Sequence, residues 1–296
     1  MKKFINRYLH TVLIIFFLNL FIHIPDAISQ DKKNFLWEIK SDTATVYLLG
    51  SVHFMKKDAY PLDNKIEDAF KKSSILVVEA NINDAAKADV QRLMANAYYR
   101  GDDTLDKHIS RDTYELLKRE TERIGIPIQM INKQKPWIIA LTLSSLELMK
   151  LGFMPNDGID IHFLSRAENK KIVELEGVNY QMRLISSFSD YEQELFLLYT
   201  LKDLKTTRED MNTLMSAWRN GDVKTMEAII YKGNNMQLYP IYEKMIYERN
   251  SRMTSQIEQF LKTNETYFVV IGAAHLIGDS GIINALKGKG YSIKQH

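Results

Sequence analysis

Two stretches of the chain are apolar with almost no polar alternation, and each of them stops at a glycine. Tyr267–Ile271 is aromatic or aliphatic throughout and ends before Gly272, and Thr45–Leu49 is a similar run that ends before Gly50. Apolar runs of this length without alternation are typical of strands buried on both faces, as in parallel sheets. A helix-forming segment follows each run, so the pattern predicts two strand–loop–helix units near opposite ends of the chain.

A histidine follows each of these glycines at the same spacing. His53 comes three residues after Gly50, and His275 comes three residues after Gly272. A single Gly-x-x-His is weak evidence, but two copies, each placed after a buried strand and before a helix, indicate a shared role. Because ligands of open α/β sheets bind at the carboxyl ends of the strands, the sequence predicts that both histidines lie at such an edge.

Two further strand candidates are followed by acidic residues. Ile75–Val78 is followed by Glu79, and Lys171–Leu175 is followed by Glu176. If all four strands are parallel, two imidazoles and two carboxylates gather along one edge of the sheet. Such a set suits a divalent metal such as zinc, manganese or cobalt, with an open position for water and a carboxylate as general base. The alternative interpretation is that each polar residue only marks where a strand emerges into solvent.

The N-terminal half of the chain supplies a hairpin and several helices. Phe35–Lys40 and Ala44–Leu49 flank a polar turn and predict the hairpin. Helices are predicted over Leu62–Lys72 and about Ala85–Tyr98. A longer helical region, Arg111–Gly152, is interrupted by glycine and proline.

The C-terminal half is mainly helical before its last strands. Helical spacing of apolar residues dominates Tyr180–Phe260, and a short edge strand is predicted at Tyr291–Lys294. The helix that follows the second Gly-x-x-His motif is predicted to have Asp279 or Ser280 as its N-cap. We therefore expect an α/β fold with a mostly parallel central sheet, flanking helices and a large helical insert over about residues 180–262.

The first residues have the pattern of a secretory signal peptide. Basic residues precede the apolar run Val12–Leu18, and Ala27 and Ser29 supply small residues for cleavage. Residues 1–29 are therefore predicted to be removed, which leaves residues 30–296 as a single exported domain. The predicted location is the periplasm or the outside of the cell, with membrane contact only through the signal peptide. A retained anchor is the competing interpretation, although Asn19, His23 and Pro25 interrupt the run.

Composition excludes several function classes. The 296 residues include no cysteine, which rules out disulfides, a lipoprotein anchor and cysteine catalysis. The formal net charge is +2, all of that excess lies in residues 1–29, and no long basic run points to nucleic acid. Neither a Gly-x-Ser-x-Gly nucleophile elbow nor a Gly-x-Gly-x-x-Gly dinucleotide motif is present.

A series of short motifs resembles the TraB/GumN/Tiki family, whose hallmark is two Gly-x-x-His motifs at the two ends of the domain. In order, the motifs are LWEI at Leu36–Ile39, GSVHF at Gly50–Phe54, VVEAN at Val77–Asn81, KPW at Lys135–Trp137, Gly158-Ile159-Asp160, HFLSRA at His162–Ala167, LEG at Leu175–Gly177, AWRNGD at Ala217–Asp222, ERN at Glu248–Asn250 and GAAHL at Gly272–Leu276. They cover almost the whole chain after residue 35. The sequence departs from the family at Gly177, where bacterial members are expected to have threonine.

The resemblance implies a fold, an activity and a set of roles. The implied fold is like that of erythromycin-esterase and ChaN-like proteins, and the implied activity is that of a metal-dependent peptidase using manganese or cobalt. His53 and His275 would hold the metal, with Glu79 as ligand or base. Glu176 would take part in catalysis.

Three further residues receive roles in substrate handling. Asp160 and Asn250 would contact substrate. Arg249, which matches the ERN motif, would hold a substrate carboxylate or stabilise an oxyanion.

Three functions remain open at this level. The first, and the favoured one, is an exported metal-dependent hydrolase, a peptidase in the first place, that acts on a peptide or a small molecule with metal-activated water at the cluster of His53, Glu79 and His275. The second is a binding protein that captures a peptide or small ligand without chemistry. The third, by fold analogy alone, is a protein that handles haem or iron.

Overall fold

The computed structural model describes residues 33–82, 94–231 and 236–296. The predicted signal peptide and most of the predicted helix Ala85–Tyr98 lie outside these ranges.

A single mixed sheet organises the described residues. Its six strands are β1 Leu36–Lys40, β2 Thr45–Ser51, β3 Ile75–Val78, β4 Lys171–Glu174, β5 Thr266–Gly272 and β6 Ile293–Gln295. They lie in the order β4-β3-β5-β2-β1-β6. The first four strands of that order are mutually parallel, whereas β1 pairs antiparallel with both β2 and β6. The predicted α/β class is confirmed, and β1 and β2 form the predicted hairpin.

The central strand, β5, is the most completely buried part of the sheet. Its residues Phe268 to Ile271 have no solvent exposure, and β3 on one side and β2 on the other contribute further buried aliphatic residues. This double-sided burial explains why β5 carries no polar alternation. A strand covered on both faces has no solvent face on which a polar side chain would be favoured.

Helices cover the sheet and extend into a separate helical layer. They are α1 Asn64–Lys72, α2 Arg111–Arg123, α3 Pro136–Lys150, α4 Ile159–Leu164, α5 Val178–Ser186, α6 Asp190–Asp203, α7 Thr207–Arg219, α8 Val223–Tyr231, α9 Tyr239–Tyr242, α10 Glu248–Phe260, α11 Ala273–Leu276 and α12 Ile282–Gly288. A π-helical turn, Glu243–Tyr247, joins α9 to α10. No helix in the described ranges combines the length and the apolar composition that a membrane span requires.

The helical layer has its own hydrophobic core. Leu117 of α2, Leu143 of α3 and Leu197 of α6 pack together with their neighbours, apart from the core around the sheet. Helix α6 belongs to the predicted helical insert, whereas α2 and α3 precede it. The helical layer is therefore broader than the segment 180–262 that the sequence marked out.

Two predicted helix starts differ from the structure. Helix α1 begins at Asn64 rather than Leu62, because the Asp63 side chain accepts the Lys65 backbone N–H and caps the helix. Neither Asp279 nor Ser280 caps α12, which instead follows Gly281. A Cβ on Gly281 would lie 2.3 Å from the Ile277 carbonyl oxygen, so close backbone packing selects glycine there over a capping side chain.

Gly50 occupies a position where the backbone packs against an aromatic ring. Its N–H donates to the Phe35 carbonyl at 3.0 Å, and its own carbonyl accepts the Trp218 indole N–H at 2.6 Å. A Cβ at Gly50 would lie 2.4 Å from Phe35 Cδ1 and 3.3 Å from the Ala273 Cα. This glycine of the first Gly-x-x-His motif is therefore required by packing.

We expect Gly50→Ala to lower the free energy of unfolding by about 1–3 kcal/mol, because the added methyl group overpacks the Phe35 ring. The measurement is urea denaturation. Gly288→Ala is the matched control, since a Cβ there meets nothing within 4 Å. That control should be neutral or stabilising by no more than about 1 kcal/mol. Equal effects of the two substitutions would contradict the packing argument.

His108 joins two separate segments of the helical layer. Its Nε2 lies 2.8 Å from Asp103 Oδ2, its Nδ1 lies 2.9 Å from Asp190 Oδ2, and its ring stacks on Tyr99 with centroids 4.2 Å apart. Both partners are carboxylates, so both ring nitrogens carry protons. Burial alone lowers the pKa of His108, but the two carboxylates outweigh it and raise that pKa above its ordinary value.

The stabilisation that His108 contributes should decline as the pH rises. Because the folded-state pKa is raised, the contribution is complete below the unfolded value of about 6.5 and is lost as pH passes the folded value. His108→Gln should therefore destabilise the protein more at about pH 5.5 than at about pH 9, measured by urea denaturation. His162→Gln is the control. Burial and then Arg166 lower the pKa of His162, so the destabilisation caused by this substitution should not increase as the pH falls. A pH-independent loss for His108→Gln would refute the expectation.

Candidate active site

The parallel strands bring the four predicted site residues to the same edge of the sheet. In spatial order they are Glu176 after β4, Glu79 after β3, His275 after β5 and His53 after β2. Each lies within three residues of the carboxyl end of its strand, where side chains leave the sheet. This edge is the one at which open α/β sheets bind ligands.

Glu79 is buried and held by three donors. Its Oε1 accepts the Gly272 backbone N–H at 2.7 Å. Its Oε2 accepts Arg249 Nη2 at 2.6 Å and Gln181 Nε2 at 2.9 Å. Burial alone would raise the pKa of Glu79, but the neighbouring histidines, Arg249 and the Gly272 N–H lower it to about 2. Glu79 is therefore ionised at neutral pH.

Glycine at position 272 leaves room for this contact. A Cβ at this position would lie 3.1 Å from Glu79 Oε1 and 3.6 Å from His275 Cδ2. The absence of a side chain lets the backbone N–H approach the carboxylate while the histidine ring lies alongside. The second Gly-x-x-His motif thus uses its glycine to place Glu79 next to His275.

Arg249 joins the two carboxylates. It is 5% exposed, and its Nε and Nη2 contact Glu176 Oε1 and Oε2 at 2.9 and 2.7 Å. The same Nη2 bonds Glu79, and Nη1 donates to the Met245 carbonyl at 2.8 Å. Burial lowers the pKa of Arg249, but the two carboxylates outweigh it and raise that pKa. Its guanidinium is therefore engaged with protein groups, whereas the sequence assigned it to a substrate carboxylate or an oxyanion.

His275 has a defined tautomer. Its Nδ1 lies 2.6 Å from Asn250 Oδ1, and Asn250 Nδ2 donates to the Ser280 carbonyl at 2.8 Å. The second bond fixes the orientation of the amide, so its oxygen faces the ring and Nδ1 must carry the proton. Burial lowers the pKa of His275, which is 3% exposed, to about 4. The ring is neutral, and its Nε2 lone pair lies 3.9 Å from Glu79 Oε1.

His53 is oriented in the same way by a carboxylate. Its Nδ1 lies 2.8 Å from Asp160 Oδ2, and Asp160 Oδ1 accepts the Ser51 hydroxyl at 2.9 Å. The His53 side chain is 66% exposed, in contrast to His275. The Asp160 charge raises the pKa of His53 above its ordinary value. The backbone of Gly158, two residues before Asp160, packs directly against the backbone of His53. A Cβ on Gly158 would lie 2.2 Å from the His53 carbonyl oxygen.

Asp160 and Asn250 therefore contact the two histidines. The sequence assigned both to substrate binding, and the structure engages their side-chain oxygens with His53 and His275. Two other contacting residues, Gln181 and Ser51, were not singled out from the sequence. Ser51 lies inside the GSVHF motif, and Gln181 lies one helical turn after Gly177, so their positions in the chain were the available signals.

The donor chemistry suits a divalent metal, although three ligands do not converge. Among the described residues, no group of three or more His, Cys, Asp or Glu side chains could hold a metal ion as arranged. His275 Nε2 and Glu79 Oε1 are 3.9 Å apart. Two ligand atoms each about 2.1 Å from one ion can be up to about 4.2 Å apart, so this pair can share one. The Asp160–His53 pair resembles the carboxylate–histidine arrangement found at metal sites.

Comparison with known proteins gives a family and named relatives. The model of the TraB/PrgY/gumN family matches residues 35–295. The chain is 25% identical to the uncharacterized protein YbaP of Escherichia coli K12, over 81% of this chain and 87% of that one. It is 23% identical to metalloprotease TIKI1 of Danio rerio, over 90% of this chain and 63% of the relative. No solved structure matches the chain.

Arg249→Met should lower the free energy of unfolding by roughly 3–5 kcal/mol, because it leaves two buried carboxylates without their cation. Urea denaturation at neutral pH measures this. Arg252→Met is the control. Arg252 lies three residues further along α10, is exposed, and contacts Tyr180. This substitution should cost less than about 1 kcal/mol. If both variants were equally stable, the ion triad of Arg249, Glu79 and Glu176 would not be the main support of this edge of the sheet.

Proposed function

The chain belongs to the TraB/PrgY/gumN family, and on that premise we propose that it is an exported metal-dependent hydrolase, a peptidase, that works at the carboxyl edge of its sheet. Two relatives that carry the name metalloprotease, TIKI1 and TIKI2 of Danio rerio, support the peptidase assignment at 23% and 21% identity. Export, to the periplasm or out of the cell, rests on the signal-peptide pattern of residues 1–29.

One observation carries the proposal. Nε2 of neutral His275 lies 3.9 Å from Oε1 of ionised Glu79. Both groups are buried, and each is held by its own partner, Asn250 for the histidine and Gly272 for the carboxylate. A preorganised lone pair and an anion at this separation are more readily explained by a shared ligand than by packing.

The residues that would hold the metal are His53, His275 and Glu79. Manganese or cobalt is favoured by the family resemblance, and zinc also suits these donors. When bound, such a metal lowers the pKa of a coordinated water and polarises a carbonyl group.

The chain's own residues set the protonation states and the charge. Asn250 keeps a proton on Nδ1 of His275, which leaves its Nε2 free to bind a cation. Asp160 holds a proton on Nδ1 of His53, and because the pKa of that ring is raised, metal binding would displace a proton from its Nε2. A carboxylate with a pKa of about 2 is a weak base, so Glu79 is better suited to be a charged ligand than a general base. Glu176 holds the Arg249 guanidinium and acts on Glu79 through it.

Capture of a peptide or small ligand without chemistry is the second candidate. The observation that favours it is that both oxygens of Glu79 already accept hydrogen bonds from the protein, Oε2 from Arg249 and Oε1 from the Gly272 N–H. A likeness to erythromycin-esterase and ChaN-like proteins, and with it the haem hypothesis, rests on the family resemblance alone.

Purified protein should retain about one divalent metal per chain after reconstitution with manganese or cobalt, and His53→Ala/His275→Ala should lose it. Elemental mass spectrometry measures the content, and a peptide library screen tests hydrolysis by the loaded protein. His162→Ala is the control, because this histidine stacks on Tyr60 with centroids 4.5 Å apart and contacts Arg166. Failure of the wild type to bind either metal would favour ligand capture.

A further inference from the structure

Gln181 touches both acidic residues of the site. It lies at the end of the first turn of α5, and its Nε2 is 2.9 Å from Glu79 Oε2 and 3.3 Å from Glu176 Oε2. Both neighbours are carboxylate oxygens, so the amide nitrogen and not the amide oxygen must face them. A side chain placed between two anions with its donor toward both is suited to hold them.

The backbone places Gln181 there through Gly177. Gly177 has φ of 87°, which turns the chain sharply from the end of β4 into α5, and its N–H donates to the Glu79 carbonyl at 2.9 Å. The Gln181 N–H then donates to the Gly177 carbonyl in the first turn of the helix. The start of α5 is therefore fixed to the end of β3, and Gln181 is directed at Glu79.

Gln181 and Arg249 select which oxygen of Glu79 faces His275. Arg249 Nη2 and Gln181 Nε2 donate to the same oxygen, Oε2. The other oxygen, Oε1, is left with the Gly272 N–H and is the one that lies 3.9 Å from His275 Nε2. We infer that Gln181 is a positioning residue, which turns Oε2 of Glu79 away from the site so that Glu79 presents Oε1 alone to a bound cation.

The neutrality of the amide matters as much as its donors. Glu79 and Glu176 bring two negative charges, and Arg249 brings one positive charge. A second cationic donor in place of Gln181 would cancel the remaining negative charge, whereas an amide supplies hydrogen bonds and leaves that charge in place. A buried site with a net negative charge attracts a divalent cation. The attraction of a divalent cation rests on the proposed function, whereas the orientation of Glu79 by Gln181 does not.

The experiment compares wild type with Gln181→Met, which keeps the length of the side chain and removes its donors. The first measurement is the side-chain carboxyl ¹³C signals of metal-free protein at neutral pH, with Glu79→Gln and Glu176→Gln used for assignment. We expect the Glu79 and Glu176 signals to shift in Gln181→Met. The second measurement is calorimetric titration with Mn²⁺ and Co²⁺, where affinity should fall by about 10- to 100-fold. The visible spectrum of bound Co²⁺ should change, because a freed carboxylate alters the coordination.

Gln256→Met is the matched control. The amide of Gln256 donates to the carbonyl of Leu175, which directly follows β4, at 3.1 Å. Gln256 forms no hydrogen bond with Glu79 or Glu176. The carboxyl ¹³C signals and the metal affinity of Gln256→Met should both match those of wild type. Gln181→Asn, which withdraws the donor by one methylene group, replaces Gln181→Met if that variant does not fold.

The outcomes separate the two proposals. Unchanged carboxyl signals in the Gln181 variant overturn the inference, whether or not the protein binds metal. A shift in those signals together with unchanged affinity for a metal that wild type binds also overturns it. If wild type binds no metal, the proposed function fails, and a signal shift still establishes that Gln181 orients the carboxylates.

Discussion

The buried guanidinium of Arg249 is the interaction on which the site depends. Two carboxylates lie side by side at the edge of the sheet, and without a cation between them their burial would be strongly unfavourable. Arg249 comes from α10, whereas Glu79 and Glu176 follow β3 and β4. The ion triad of Arg249, Glu79 and Glu176 that keeps Glu79 ionised therefore also fastens α10 to the ends of β3 and β4, so the same contact serves the chemistry and the stability.

Two copies of one motif acquire different properties from their places in the sheet. His275 follows the central strand and is enclosed, so its ring is neutral. His53 follows β2, lies mostly in solvent and pairs with Asp160, which favours its charged form. Each ring nonetheless directs Nδ1 to a side-chain oxygen. The shared spacing determines where the histidines are placed, and their surroundings determine what they can do.

The sheet could be predicted from the sequence because burial on both faces removes alternation, as in β5 and β3. The meeting of four polar residues at one edge follows from parallel strands. The partners of those residues could not be predicted. Arg249 lies in a polar segment of α10 that suggests a solvated face, and its burial arises from packing against strands more than 70 residues away in sequence. The roles of Asn250, Asp160 and Gln181 likewise depend on long-range contacts between helices and strand ends.

The position of β5 in the sheet has a consequence for how the chain can fold as it is made. This strand occupies the middle of the sheet, yet only β6 comes after it in sequence. Until it emerges, the β1–β2 hairpin and the β3–β4 pair have nothing to join them, and the facing edges of β2 and β3 stay unpaired. Sheet closure must therefore wait for nearly complete synthesis. A sheet whose central strand is made second to last therefore stays open until almost the whole chain is available.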